Sequence, residues 1–353
     1  MNKRVVITGL GVISSIGIGR EEFWDSLLKG KSGISPVTSF DTTNQFTHNG
    51  GEAKNFRPEE FVPKDRLGSL SRASQMALAG AKLAVQDARL SEQNFNRAKT
   101  GVCVGITSGP VQVIEHINDK LLKNEELKND LLYQLPVNTA SAIISAELGL
   151  AGPSVLFSTA CAAGNYAIGY GYDLIRLNRA DTVVAGASDP FSRISFTGFN
   201  QFSAVAPEKC QPFDKNRKGM MVAEGAGVVI LESLENAVQR NATIYAEILG
   251  YGLSCDAFHM TTSSVEGIAA CMKKAMHATG ITIDQVAYIS AHGTGTPTND
   301  KNECAAIKEV FGSRYKTIPV SSIKSMLGHT MGAASVIEAI ACALAVKHDI
   351  VPP

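Results

Sequence analysis

The residue best placed for nucleophilic chemistry is Cys161, in the run Ser158-Thr159-Ala160-Cys161-Ala162-Ala163-Gly164. Ahead of it, Val155-Leu156-Phe157 has the pattern of a short buried strand. Behind it, residues 164–175 repeat Ala, Ile, Tyr and Leu at helical spacing. Cys161 is therefore expected where a strand turns into a helix. Amide N–H groups at a helix start lack internal partners and favour negative charge, so a thiolate is expected to be stabilised there and to act as a nucleophile. The small neighbours leave room for a substrate. Two histidines, His292 in SAHGTGTP and His329 in KSMLGHTMG, are each followed by residues that allow tight turns and donate hydrogen bonds. Taken singly, such a cysteine is more often a buried structural residue, and each histidine is more often structural too. Zinc is a weak reading, because the histidines are far apart in sequence and no acid or thiol pair accompanies them. The other five histidines lack a comparable glycine-rich setting and read as surface or packing residues.

The elements that must position these residues follow from the pattern. Residues 4–11 read as a β-branched strand ending in glycines, 20–29 as an amphipathic helix, and 35–70 as loop and cap. Residues 71–88 read as a buried helix, 101–106 as a strand, 115–135 as exposed helix and 140–148 as packed helix. Strands at 181–187 and 224–232 follow, with the polar turn 213–219 between them and a helix through Ala237 and Arg240 after them. The order then begins again: strand 244–252, helix 264–279, strand 286–290 ending in the His292 turn, strand 320–323, and a long apolar helix at 332–346. Two βαβα passes imply duplicated halves packed on each other, divided here as 1–243 and 244–353. The GxG after the first strand lacks the third glycine and ribose-binding acid of a dinucleotide loop.

The chain has 353 residues, 44% of them hydrophobic, enough for a large core in one big domain or two halves. Lysine and arginine number 33, as do aspartate and glutamate, which argues against a general nucleic-acid binder. No stretch reads as a membrane span, and the N-terminus lacks the pattern of a signal peptide. Seven scattered cysteines without a CxxC pair fit a reducing cytoplasm and neither a disulfide framework nor a zinc framework.

With these elements in place, the sequence resembles the β-ketoacyl-acyl-carrier-protein synthases, condensing enzymes of the thiolase-like fold, and most of all the synthase II type. The resemblance rests on RVVITGLGVISSIG, STACAAGNYAIG, PFDKNRKG with EGAGVVILE, YGLSCDAFHMT, AHGTGTPTNDKNE and SSIKSMLGHTMGAAS, in the family's order along nearly the whole chain. It implies an α/β protein in an α/β/α/β/α arrangement. It also implies that Cys161 takes an acyl group from a carrier thioester, and that a malonyl thioester then loses CO2 and attacks the acyl carbon. His292 and His329 match the pair that steadies the enolate. Lys324 matches an active-site lysine, with Glu303 as its ion partner. Thr294 and Thr296 would bond the pantetheine arm, and Ser108 would line the acyl pocket. No cofactor or metal is implied, since the substrates ride on the phosphopantetheine arm of an acyl carrier protein. That acidic carrier would dock near Lys64, Arg66 and Arg72. A cytoplasmic homodimer is the default, with a heterodimer as the alternative. Two other readings stand beside this one. A chain-length-factor-like partner would lack the nucleophile, and a thiolase-type acyltransferase would replace one histidine with a second cysteine. The family's pattern continues for roughly sixty residues past Pro353, so the sequence is expected to lack the last strands of the second half and a glycine-rich loop over the nucleophile.

Overall fold

The β-branched run near the N-terminus becomes β1 (Val5–Ser14), buried along its whole length. The computed structural model describes residues 3–353 apart from Glu92 and Met260. Met1 and Asn2 of the N-terminal reading and Met260 of the YGLSCDAFHMT run lie outside those residues. After β2 (Gly17–Ile18), α1 (Arg20–Leu28) buries Phe23, Trp24 and Leu27. The expected loop and cap contains the short pair β3 (Ser35–Pro36) and β4 (Asn49–Gly50). Ser71 caps α2 (Arg72–Asp87) by accepting from the Ser74 N–H, and β5 (Thr100–Ile106) follows. The charged stretch expected as one helical region is α3 (Val111–Leu122) and α4 (Asn129–Tyr133). Next come α5 (Thr139–Leu148), β6 (Ser154–Ser158), α6 (Ala163–Arg176) and β7 (Thr182–Asp189). α7 (Arg193–Gln201) precedes β8 (Gly225–Ser233) and α8 (Leu234–Gln239). The remainder is β9 (Ala246–Ile248), α9 (Val265–Thr279), β10 (Ile289–Ser290), α10 (Pro297–Phe311), β11 (Val320–Ser321), α11 (Lys324–Leu327) and α12 (Ala334–His348).

The large sheet has the order β2-β1-β8-β7-β5-β6, with β9 also paired to β1. β5, β6 and β7 run parallel to one another. The turns that leave them, at 107–109, 159–161 and 189–191, therefore emerge along one edge of the sheet, the usual place for a site in an open α/β sheet. α2 and α5 cover one face; α6 and α12 cover the other. The second sheet is the parallel pair β10–β11, and α9 and α10 pack over it around Ile307, Phe311 and Ile318. The five-layer α/β/α/β/α arrangement results, with a second sheet of two strands among the described residues. The stretch Met331–His348 is long and apolar enough to span a membrane, but 67% of it is buried inside the fold, where α12 packs on β8.

Two expectations are corrected. The strand before Cys161 is the sheet's edge strand and only half-buried, because β6 pairs with β5 alone; its apolar run does not signal a fully buried strand. The strand after residue 243, expected to begin the second pass, pairs with β1 of the first sheet.

α6 begins directly against β5. A Cβ added at Gly105 would lie 2.4 Å from the carbonyl carbon and 2.5 Å from the carbonyl oxygen of Ala163. Gly105→Ala is therefore expected to push the start of α6 away from the sheet. The expected cost is about 1–3 kcal/mol of stability, measured by urea unfolding, with slower alkylation of Cys161. Unchanged stability and reactivity would contradict this packing.

Candidate active site

Cys161 sits in a single 3₁₀ turn, residues 160–162, that leads straight into α6. The residue before it, Ala160, has φ 50°. A left-handed alanine costs about 1–2 kcal/mol and is sustained only by its surroundings. Met331, two residues after His329, is left-handed in the same way (φ 52°). The His329 backbone is tied on both sides: its N–H donates to the Met221 carbonyl at 2.7 Å, and its carbonyl accepts from the Ala223 N–H at 2.9 Å.

The chain thus brings three distant residues together. The Cys161 sulfur, a ring nitrogen of His292 and one of His329 all lie within 4.8 Å of one another. The two rings are nearly perpendicular, with centroids 5.4 Å apart. The Met331 N–H donates to His329 Nδ1 at 3.0 Å, so that nitrogen is an acceptor and the proton belongs on Nε2. His292 Nδ1 lies 3.4 Å from Lys324 Nζ, an ammonium that can only donate, so the same tautomer follows. A metal on either Nε2 would need that proton moved to a nitrogen that already faces a donor, which makes the cluster a poor metal site.

Burial, reinforced by the Lys324 charge, lowers His292 to about 3. Burial, then Lys324 and His292, hold His329 well below the usual histidine range. Both rings are neutral at physiological pH. Cys161 departs from expectation: burial pushes its thiol up to about 11, Lys324 pulls it down, and Asp189 and Glu338 raise it. It rests as a thiol, because taking the sulfur out of water outweighs the lysine and the helix-start amides.

Lys324 starts α11 and is 1% exposed. Its Nζ donates to the His292 carbonyl at 2.7 Å and forms an ion pair with Glu338, on α12. The expected pairing with Glu303 is therefore corrected. The Glu303 carboxylate is occupied by the N–H groups of His292 (2.7 Å) and Gly293 (2.8 Å), and so holds the turn in place. Asp300, one turn earlier on α10, accepts from the N–H of Gly295 at 3.1 Å and of Phe213 at 2.7 Å. Acids in the first turns of α10 thus fold back onto the loop that precedes it, where the helix dipole favours them. Thr294 is buried, with its hydroxyl 2.9 Å from that of Thr296.

Ser108 lies in the turn after β5, its hydroxyl 3.1 Å from that of Ser195 on α7. Of the three expected docking cations, Lys64 is exposed and Arg66 is half-exposed beside Glu147 at 3.5 Å. Arg72 is not a docking residue: its guanidinium forks onto buried Glu224 at 2.7 and 2.6 Å. Sequence reasoning missed Glu338, Asp189 and Asp300. A single acid inside the apolar helix 332–346 was the available signal for Glu338. For Asp189, the signal was an acid closing a buried strand.

Comparison with known proteins agrees with this geometry. Residues 2–237 match the family Beta-ketoacyl synthase, N-terminal domain, and residues 245–353 match Beta-ketoacyl synthase, C-terminal domain. The chain is 38% identical to nodulation protein E of Rhizobium sp. (strain N33), covering 100% of this chain and 88% of that protein. It is 36% identical to 3-oxoacyl-[acyl-carrier-protein] synthase 2 of Synechocystis sp. (strain ATCC 27184 / PCC 6803 / Kazusa), covering 99% and 87%. Among solved structures it resembles the ishigamide ketosynthase/chain length factor, with TM-score 0.96 and 42% identity, covering 100% and 88%. It also resembles AntDE:AntF, a type II PKS acyl-carrier protein in complex with its ketosynthase bound to the hexaketide, with TM-score 0.91 and 33% identity over the same shares. The chain belongs to the β-ketoacyl synthase family, the condensing enzymes of fatty-acid and type II polyketide chain elongation.

Proposed function

We propose that Cys161 carries the growing acyl chain, and that His292 and His329 hold the thioester oxygen of a malonyl extender while it loses CO2. The observation that carries this reading is the meeting of one thiol with two uncharged imidazoles whose Nδ1 atoms face donors, which puts each proton on Nε2. In the first half-reaction the Cys161 sulfur attacks an acyl thioester. The bond to the carrier's sulfur breaks, the bond to Cys161 forms, and the thiol proton leaves with the carrier. This exchange needs the thiolate only at the moment of attack, which suits a thiol that rests protonated. In the second half-reaction the C–C bond to the carboxylate breaks and its electron pair enters an enolate, whose oxygen lies against the two N–H donors. The enolate carbon attacks the acyl carbonyl, the bond to Cys161 breaks, and the sulfur takes a proton from water. Neutral imidazoles suit this step, because an imidazolium is acidic enough to quench the enolate by protonating it.

Thr294 and Thr296 bond the pantetheine arm, Lys324 orients His292, Glu303 secures the turn, and Ser108 borders the acyl side. Cys161 weighs against the chain-length-factor role, and the second histidine weighs against a thiolase. The substrates arrive on an acyl carrier protein, with Lys64 and Arg66 as candidate contacts for its acidic surface. The open edge of β6, flanked by exposed Tyr170 and Leu177, suits a second protomer. The setting is cytoplasmic, and the chemistry needs no metal or cofactor.

Cys161→Gln is expected to abolish chain extension by about 10³-fold or more, scored by product mass with carrier-bound malonate and acyl groups. Product formation that survives would assign the chemistry to a partner chain. The histidines also predict an acid limb of stability. Below about 6.5 they take up protons when unfolded but not when folded, so stability falls as pH drops from there toward 3. His292→Asn should flatten that limb in urea titrations; an unaltered slope would mean that His292 is not held neutral.

A further inference from the structure

Asp189 closes β7 and is fully buried. Its Oδ1 accepts from the N–H of Ser108 at 2.7 Å and of Gly109 at 3.0 Å. Its Oδ2 accepts from the N–H of Thr107 and of Gly332, both at 2.7 Å. Four donors from two separate turns thus converge on one carboxylate. The first turn leaves β5 and carries Ser108; the second follows His329 directly. The approach is so close that residue 332 has no room for a side chain. A Cβ there would lie 2.6 Å from Asp189 Oδ2, 2.9 Å from the Thr107 nitrogen and 3.0 Å from the Ile106 carbonyl carbon. Amide bonds to a charged oxygen are stronger than neutral ones and fix direction as well as distance. Burial nevertheless pushes this carboxyl up to about 6, against the pull of all four donors.

We propose that Asp189 is a positioning residue of the condensing site: its carboxylate clasps the turn carrying Ser108 to the turn carrying His329, so that the acyl side and the decarboxylation side of the cavity keep a fixed separation. The inference rests on the roles given above to Cys161 and His329. Acyl transfer depends on the turn carrying Ser108 and decarboxylation on the turn carrying His329, so a clasp that fixes both turns serves both half-reactions. Errors of about 1 Å there can cost 10²-fold in rate.

Three full-chain variants test it. Asp189→Asn keeps the shape but turns one accepting atom into an NH2 group that faces N–H donors. Gly332→Ala wedges the same junction from the other side and leaves the charge in place. Glu232→Gln removes a buried carboxylate, paired with Arg240, at the far end of the same strands, where Thr182 faces Glu232. It controls for lost stability. Acyl transfer to Cys161 and decarboxylation of malonyl-carrier are measured separately, together with Tm and the pH profile of Cys161 alkylation. The first two variants should each lower both half-reactions by about 10- to 100-fold. Glu232→Gln should leave both near wild type, whatever its Tm. Asp189→Asn should also move the alkylation profile to lower pH. It removes one negative neighbour of the sulfur, while Glu338, the Lys324 cation and the two neutral histidines remain. Gly332→Ala should not move it. Wild-type rates in either clasp variant, loss of only one half-reaction, or an equal loss in Glu232→Gln would overturn the proposal. A wild-type chain that performs neither half-reaction would instead overturn the reading of the site on which it rests.

Discussion

A single buried ammonium governs this site. Lys324 has almost no contact with water, and an unpaired cation in that position would cost several kcal/mol. Glu338 supplies the countercharge from α12, and the His292 carbonyl takes another of the lysine's protons. The lysine is therefore paired while enclosed, and its field reaches Cys161, His292 and His329. It pushes both imidazoles toward neutrality and opposes the burial that raises the thiol.

Each imidazole is locked from behind. Lys324 faces Nδ1 of one ring, and a backbone N–H donates to Nδ1 of the other. Each ring thereby carries its proton on Nε2, the donor that the proposed extender would meet. Neither ring can serve as a general base at Nδ1 without losing that partner. Under the proposed mechanism the site stabilises developing charge on oxygen and does not shuttle protons, and the resting thiol fits the same logic. Charge appears only when a substrate is present to receive it, and the donors that meet it are already fixed in place. Left-handed residues on both walls, Ala160 and Met331, show that the surrounding fold holds these turns against their own preference.

Much of this was legible in the sequence. The β-branched run of β1, the alanine-rich α2 and the apolar α12 follow from composition and period alone. Cys161, His292 and His329 were identifiable from their glycine-rich settings, once family motifs linked them across the chain. The ion pair was misassigned for a physical reason. Glu303 is near His292 in sequence, but its carboxylate holds the N–H groups of His292 and Gly293, whereas Glu338 reaches Lys324 from α12. Arg72 looked like a surface cation, yet it pairs with Glu224, more than a hundred residues away. The thiol's raised pKa was equally hidden, since it reflects desolvation by the folded protein. β6 read as buried because its residues are apolar, and only the strand order reveals an edge.

The most direct test of this account is the tautomer of each histidine. Nitrogen-15 NMR of the histidine-labelled chain, with His292→Asn and His329→Asn used for assignment, reads the protonation of each ring nitrogen. The account predicts two neutral rings at neutral pH, each carrying its proton on Nε2, and a His292 signal that loses this preference in Lys324→Met. An imidazolium at neutral pH, or a proton on Nδ1 of either ring in the wild-type chain, would contradict it.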